Sequence, residues 1–358
     1  MLLFLQKKKA LLPFLLPSAP CYAAAMRRLL LLALLPVLLV PAAWLAAEWR
    51  LQAGVRNWAA AREREGWTVR AGPAAWTGFP FEAALVLPDV ALSSPPDNAA
   101  PGWLDWSVPR LELRVSPRHP ATLLLLPRGP QRLRLAPLPD VAVDAADARV
   151  AVPLRDAPPG TEAAVTASAL HVALPGGASA ATGALSLSLS LHPGAGRDEA
   201  AATIRLDAAD VTLPGLPAPL RMLSLAGAVE GPLAPRPTPA ATAAAWRDGG
   251  GRVVVQRLET RWGDFAASGT ATLTLDGAQQ PFATATLRLS GYDPALAALA
   301  KAGTIGAGTA RVAHAVLGLM AQPDAAVSLP LTWRDGTVAA GQIPLLRTPP
   351  ATWSLGPE

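Results

Sequence analysis

The 358-residue chain has a single cysteine, Cys21, close to its start. Everything after it is therefore without disulfides and without thiolate metal ligands, so an oxidising compartment is allowed but not implied. Histidine is almost as scarce. His119, His171, His192 and His314 have no His, Asp or Glu neighbour at metal-ligand spacing, and no HExxH-type pair occurs. They read as exposed or locally satisfied side chains, and no metal or cofactor is expected. Neither a Gly-x-Ser-x-Gly elbow nor a phosphate-cradling Gly-x-x-x-x-Gly-Lys is present. Gly249-Gly250-Gly251 precedes a strand, so it lacks the helix N-terminus on which phosphates sit. Asp144 and Asp147, like Asp207 and Asp210, flank short apolar segments near turns, where Asp caps the chain.

Charge is low, at 16% of residues, and aromatics make up only 5%. The formal net charge of +5 does not indicate nucleic-acid binding. Lys7, Lys8 and Lys9 fall in an N-terminal extension and Arg27 and Arg28 flank an apolar run. The remaining arginines are scattered, with no basic patch interleaved with aromatics.

What the chain has in quantity is Ala, Leu and Val, within a hydrophobic fraction of 51%, together with 38 prolines and 29 glycines spread along its length. That mixture predicts many short elements rather than long soluble helices. The exception is residues 29–47, LLLLALLPVLLVPAAWLAA, which carry no charge. As a helix they would reach ~28 Å, about one hydrocarbon core. Pro36 and Pro41 do not exclude such a span, and Trp44 and Trp49 suit its interface. Met26-Arg27-Arg28 before the run has the order of a signal-anchor. This predicts an upstream extension over 1–25 and a transmembrane anchor over 26–47. Without a clean small-x-small site the run reads as retained rather than cleaved. Arginines lie on both sides of it, so charge alone barely orients it. An N-terminal anchor before a large β-rich body predicts a single-pass inner-membrane protein with its body in the periplasm. A cytoplasmic-facing body is the alternative.

A stalk helix is expected over 48–66, with Leu51, Val55 and Trp58 on one face and Gly66 as its stop. From Trp67 the period becomes two. Leu111, Leu113 and Val115 alternate with Arg110, Glu112 and Arg114, and Leu133 and Leu135 alternate with Arg132 and Arg134. Leu185, Leu187, Leu189 and Leu191 alternate with Ser186, Ser188 and Ser190. Further strands are expected at 82–92, 147–154, 163–174, 251–262, 269–276 and 282–290. Asp293-Pro294 reads as the cap and first residue of the one soluble helical stretch. Gly303, Gly306 and Gly308 break it before a second piece over 309–320, with Val312, Val316 and Leu319 inward. A hairpin follows, 327–333 and 337–346 about a turn at Asp335-Gly336. The fold class is mainly β: a large antiparallel body over 67–350, as a curved sheet or a sandwich, with one C-terminal helical insertion and a tail over 351–358.

Several short motifs lie within this layout: Gly78-Phe79-Pro80 soon after the Trp-containing helix, Trp262-Gly263, Leu275-Asp276, Gly291-Tyr292 and the Asp335-Gly336 hairpin. Together they resemble domain of unknown function 2125, an uncharacterised bacterial envelope family, over most of 26–346. The family supplies no activity, and Gly78, Phe79, Pro80, Trp262, Gly263, Asp276, Gly291 and Tyr292 read as structural. The layout is more distantly similar to AsmA-like envelope proteins, which would imply lipid handling or envelope maintenance. Such an analogy does not fix function.

These readings predict a non-enzymatic, membrane-anchored envelope protein that binds or guides lipid or another apolar ligand. A structural or adaptor protein docking an envelope partner is the alternative, and a hydrolase with a dispersed site is less favoured. An apolar groove continuous from strand to strand favours the first reading; a closed, dry core with an exposed apolar patch favours the second, and a cleft joining a histidine to Ser and Asp favours the third.

Overall fold

In the computed structural model of the chain, residues 19–95, 104–135, 140–154, 162–233, 239–303, 306–320, 326–341 and 343–351 are described. The expected extension over 1–25 lies outside them up to residue 18, as does the expected tail after residue 351.

Helix α1 (Ala19–Arg64) is one continuous element of 46 residues. The expected anchor and stalk are therefore not separate helices. The side chains of residues 19–38 lie outside the described set, so the apolar run is seen in full only from Leu39 onward. Among the described residues no helix is long and apolar enough to cross a membrane. At its far end α1 stops as its sequence demands. Arg62 and Arg64 sit in the last turn, where a helix favours positive charge. Gly66 takes φ +86°, with Gly66 N–H donating to Glu63 O and Trp67 N–H to Arg62 O, the bond pattern of a Schellman stop.

The body follows as β1 (Thr68–Arg70), β2 (Ala75–Thr77), β3 (Ala83–Ser93), β4 (Leu104–Ser116), β5 (His119–Arg128), β6 (Gln131–Leu135), β7 (Val141–Pro153), β8 (Glu162–Ala173), β9 (Ser179–Leu191), β10 (Ala200–Val211) and β11 (Leu220–Glu230). Helix α2 (Pro239–Asp248) intervenes before β12 (Arg252–Trp262), β13 (Phe265–Leu275) and β14 (Pro281–Ser290). Helices α3 (Tyr292–Lys301) and α4 (Ala307–Met320) precede β15 (Val327–Arg334), β16 (Thr337–Ala340) and β17 (Ile343–Arg347). All seventeen strands join one antiparallel sheet, in which each strand pairs chiefly with its neighbours in sequence. β1 and β2 lie end to end along one edge of β3, and β5 and β6 lie end to end between β4 and β7.

Three expectations are corrected. The helical content between strands is not confined to one insertion, because α2 forms from the Ala-rich PAATAAAWRD. Asp293 does not cap α3: Gly291 holds the N-cap position, and Asp293 sits inside the first turn. The last strand is not continuous over 337–346, since Gly341 at φ +59° folds it into β16 and β17, which pair with each other. The placement expected of Val312, Val316 and Leu319 concerns side chains outside the described set.

Two small cores pin helices to this sheet. Leu51 and Val55 of α1 pack on Leu85, Leu87, Val90, Val108, Leu111 and Leu113 of β3 and β4. Trp58, expected on that face, is instead 48% exposed. Trp246 of α2 packs with Ala243 and Leu275, its Nε1–H donating to Glu230 O at 2.9 Å.

A crease crosses the sheet. Gly72 N–H donates to Pro88 O, and opposite the Gly72 loop Asp89 stands between the pairs Pro88–Arg110 and Val90–Val108, facing Pro109. The same line continues through Gly129-Pro130, where β5 gives way to β6, to Ala146, Ala169, Gly183, Asp210 and Arg221. Positive φ falls on every second strand of it: Asp89 (50°), Gly129 (85°), Ala169 (46°) and Asp210 (53°). On crossing the line the inward set changes parity. Leu85 and Leu87 share one core cluster with Val90, and Leu111 and Leu113 share it with Val108. In β7, Val141, Val143 and Ala145 lie inward before the line, and Ala148 and Val150 after it. A strict period of two would turn half of each strand's apolar residues outward; the crease keeps them on one side.

Candidate functional site

Directly opposed residues of paired strands project from the same face, so the register can be read as rows across the sheet. One row runs Trp76–Leu85–Leu113–Leu125–Val150–Val165–Leu187–Leu206–Leu225–Leu258–Gly269–Leu287–Leu329, from β2 to β15. Every member is apolar or glycine. At ~4.8 Å per strand the row extends about 58 Å. A neighbouring row, Ala163–Leu189–Ile204–Gly227–Val255–Ala271–Ala285–Leu331–Ala340, repeats the chemistry on the same face. The opposite face carries Arg149–Thr166–Ser186–Asp207–Ser224–Glu259–Ser268–Arg288–Ser328.

Burial along the apolar row is uneven. Leu85 and Leu113, under α1, are closed off, and Leu329 is buried at the other end. From Leu125 to Leu287 the non-glycine members are half-buried. In the middle, Leu189, Leu191 and Ile204 are each 38% exposed. Among the described residues no helix packs substantially on β7, β8, β9 or β10. The apolar face is thus neither a dry core nor a flat surface, but a lined strip open at its centre.

The polar face is organised by ion pairs on the strands nearest α1. Glu112 lies 3.0 Å from Arg110 and 2.8 Å from Arg114, while Asp147 lies 2.7 Å from Arg149 and 3.4 Å from Arg128. Burial pushes the Glu112 carboxyl up, but the Arg114 hydrogen bond and the charges of Arg114, Arg110 and Arg128 outweigh it and hold its pKa below the usual range. The Arg149 hydrogen bond does the same for Asp147. Further along, a depression of about 550 Å³ is lined by Asp105, Trp106, Arg132, Arg134 and Asp140 among others. There Arg134 is paired with Asp105.

At the start of the row, α1 meets the β2–β3 turn. Trp44 Nε1–H donates to Glu82 O at 2.8 Å, and its ring meets Trp76 and Phe79 edge-on at 6.3 and 5.2 Å. One turn further, Glu48 is fully buried and accepts the Ala84 N–H through Oε1 at 2.6 Å, while its Oε2 has no partner. Desolvation raises its pKa against the lowering effect of the Ala84 bond. Nothing in the sequence marks Glu48 beyond its position as the first charge after an apolar run.

The motif residues divide into separate turns. Gly78 takes φ +89°, where a Cβ would meet Glu82 O at 2.7 Å, and the Phe79–Pro80 peptide is cis. Gly291 takes φ +61° against the backbone of Asp264, so Gly291-Tyr292 is brought beside Trp262-Gly263. Asp276, at the other end of β13, accepts the N–H groups of Ala278 and Gln280 at 2.9 and 2.8 Å. Each closes a turn, and they do not converge on one site. His314 Nδ1 lies 2.6 Å from Asp293 Oδ1, tying α3 to α4, with both side chains more than half exposed. Asp207 accepts the Ser224 hydroxyl at 2.7 Å. Among the described residues no group of three or more His, Cys, Asp or Glu side chains is arranged to hold a metal.

Fold and face together define a class: an extended single-sheet antiparallel β protein with one apolar side, joined to a long N-terminal helix. The chain belongs to the uncharacterised protein family conserved in bacteria, DUF2125, whose model matches residues 44–349. No curated protein and no solved structure matches it.

Proposed function

We propose that this is a non-enzymatic envelope protein, held by residues 29–47 in the inner membrane with its body in the periplasm, that carries a lipid acyl chain along its apolar rows. The observation that carries this reading is the thirteen-residue row from Trp76 to Leu329, half-buried through its middle, where among the described residues no helix packs substantially on β7 to β10. A sandwich core would close such a face with a second sheet; all strands among the described residues belong to one. An acyl chain needs a continuous apolar strip and few polar groups, since each polar group left unpaired beside it costs free energy. The apolar run of α1 supports the anchor by its length, uncharged sequence and charged flanks.

The test is native mass spectrometry of the full chain, gently extracted from bacterial membranes. Stoichiometric bound lipid is expected, and Leu187→Asp should remove it while leaving the fold intact. A folded, lipid-free protein would contradict the reading and favour an adaptor that docks an envelope partner.

A further inference from the structure

The junction between α1 and the sheet exposes more aromatic surface than packing there requires. Phe81 is 79% exposed, Trp49 63%, Phe79 56% and Trp76 41%, on a chain in which aromatics are only 5% of residues. On α1 itself Leu39, Val40 and Leu45 are also exposed, at 57%, 45% and 50%. Trp76 and Phe79 lie at the level of Trp44 on α1. Trp44 sets that level: its ring meets Trp76 and Phe79, and its indole N–H holds the carbonyl of Glu82 at the end of the same turn. Trp44 stands three residues before the uncharged run ends at Ala47, and Arg50, exposed, follows one turn later. The turn is rigidly presented. Phe81 N–H and Glu82 N–H both donate to Gly78 O, and Gly78 fits only without a Cβ.

We infer that the Phe79–Phe81 turn is a second membrane contact, inserting at the interface of the bilayer that α1 enters and setting the start of the apolar row against the lipid. The inference rests on the anchor proposed above and names where the body touches the bilayer. Three observations select a lipid surface as occupant. The patch is continuous with the apolar run of α1, its side chains are the amphipathic and aromatic types that favour the interface, and Arg50 beside it suits anionic headgroups. The apolar row begins at Trp76, a member of the patch.

The experiment uses the full chain with Cys21→Ser, a Phe81→Cys substitution labelled with NBD, and a Ser188→Cys control on the polar face. Each is reconstituted in vesicles of phosphatidylethanolamine and phosphatidylglycerol. Phe81 is so exposed that its replacement leaves the fold unchanged. The inference expects the probe at 81 to shift to the blue and to be quenched several-fold by lipids doxyl-labelled near the headgroup, with the probe at 188 unaffected. Co-flotation with vesicles together with a water-exposed probe at 81 would overturn the inference and leave the anchor standing. Failure to co-float would overturn both.

Discussion

At the scale of single residues, the junction of α1 with β3 turns on Glu48. Its carboxylate is buried, satisfies one backbone donor and leaves one oxygen bare. Because desolvation raises its folded pKa, its contribution to stability is fully present below the unfolded carboxylate value and is lost as pH rises through the folded one. Glu48→Gln keeps an acceptor for the Ala84 N–H and drops the charge. Its melting temperature should exceed that of the native protein at pH 8, with the gain vanishing as pH falls to 4. Glu48→Ala leaves the Ala84 N–H unpaired and should cost about 1–3 kcal/mol at any pH, measured by urea unfolding. Glu112 has the opposite sign. Its pKa is held low, so its contribution is present above the unfolded value and is lost as pH falls through the folded one. The sequence displays Glu48 as one charge beside an apolar run. That it is buried depends on β3 packing back on the helix 36 residues later, a long-range contact that no local pattern encodes.

At the scale of elements, alternation made most strands legible. Leu185–Leu191 and Ala283–Leu289 lie in β9 and β14 as their period of two demands. Helix α2 was not legible, because PAATAAAWRD has a single large apolar residue and no amphipathic stripe. It is fixed by that residue. Trp246→Ala should therefore destabilise the protein by about 3–5 kcal/mol, with loss of α2 protection in hydrogen exchange. The crease was equally hidden, since it exists only in the register between successive strands. Its marks in the sequence are ordinary: Pro88-Asp89, Pro109, Gly129-Pro130, Ala169, Gly183 and Asp210. Asp tolerates φ > 0 better than most residues, and a β-branched side chain does not. Asp210→Val should cost about 1–2 kcal/mol, whereas Asp210→Gly should stay within about 0.5 kcal/mol of the native protein. Thr182 reinforces the line, its hydroxyl 2.8 Å from the carbonyl oxygens of both Ala184 and Ala209.

At the scale of the whole molecule, the sheet resolves a choice that composition left open. A long meander of strands with one apolar face folds on itself as a sandwich or stays single; among the described residues every strand joins one sheet, and no helix packs substantially on β7 to β10. An open sheet of this length ordinarily curls or splits. The crease and the half-buried rows fit curling without closure. Leu187 stands at the centre of the uncovered strip, with Ser188 beside it on the polar face. Leu187→Asp places a charge where an apolar ligand would lie, and Ser188→Asp does not. The first should lower bound lipid at least tenfold, and the second should leave it unchanged, with closely similar circular dichroism for both.

The most direct measurement is the lipid content of the gently extracted full chain by native mass spectrometry, taken beside Leu187→Asp and Ser188→Asp. The account predicts about one lipid per chain in the native protein and in Ser188→Asp, and almost none in Leu187→Asp. A folded native chain free of lipid, or lipid retained equally by all three, would contradict it.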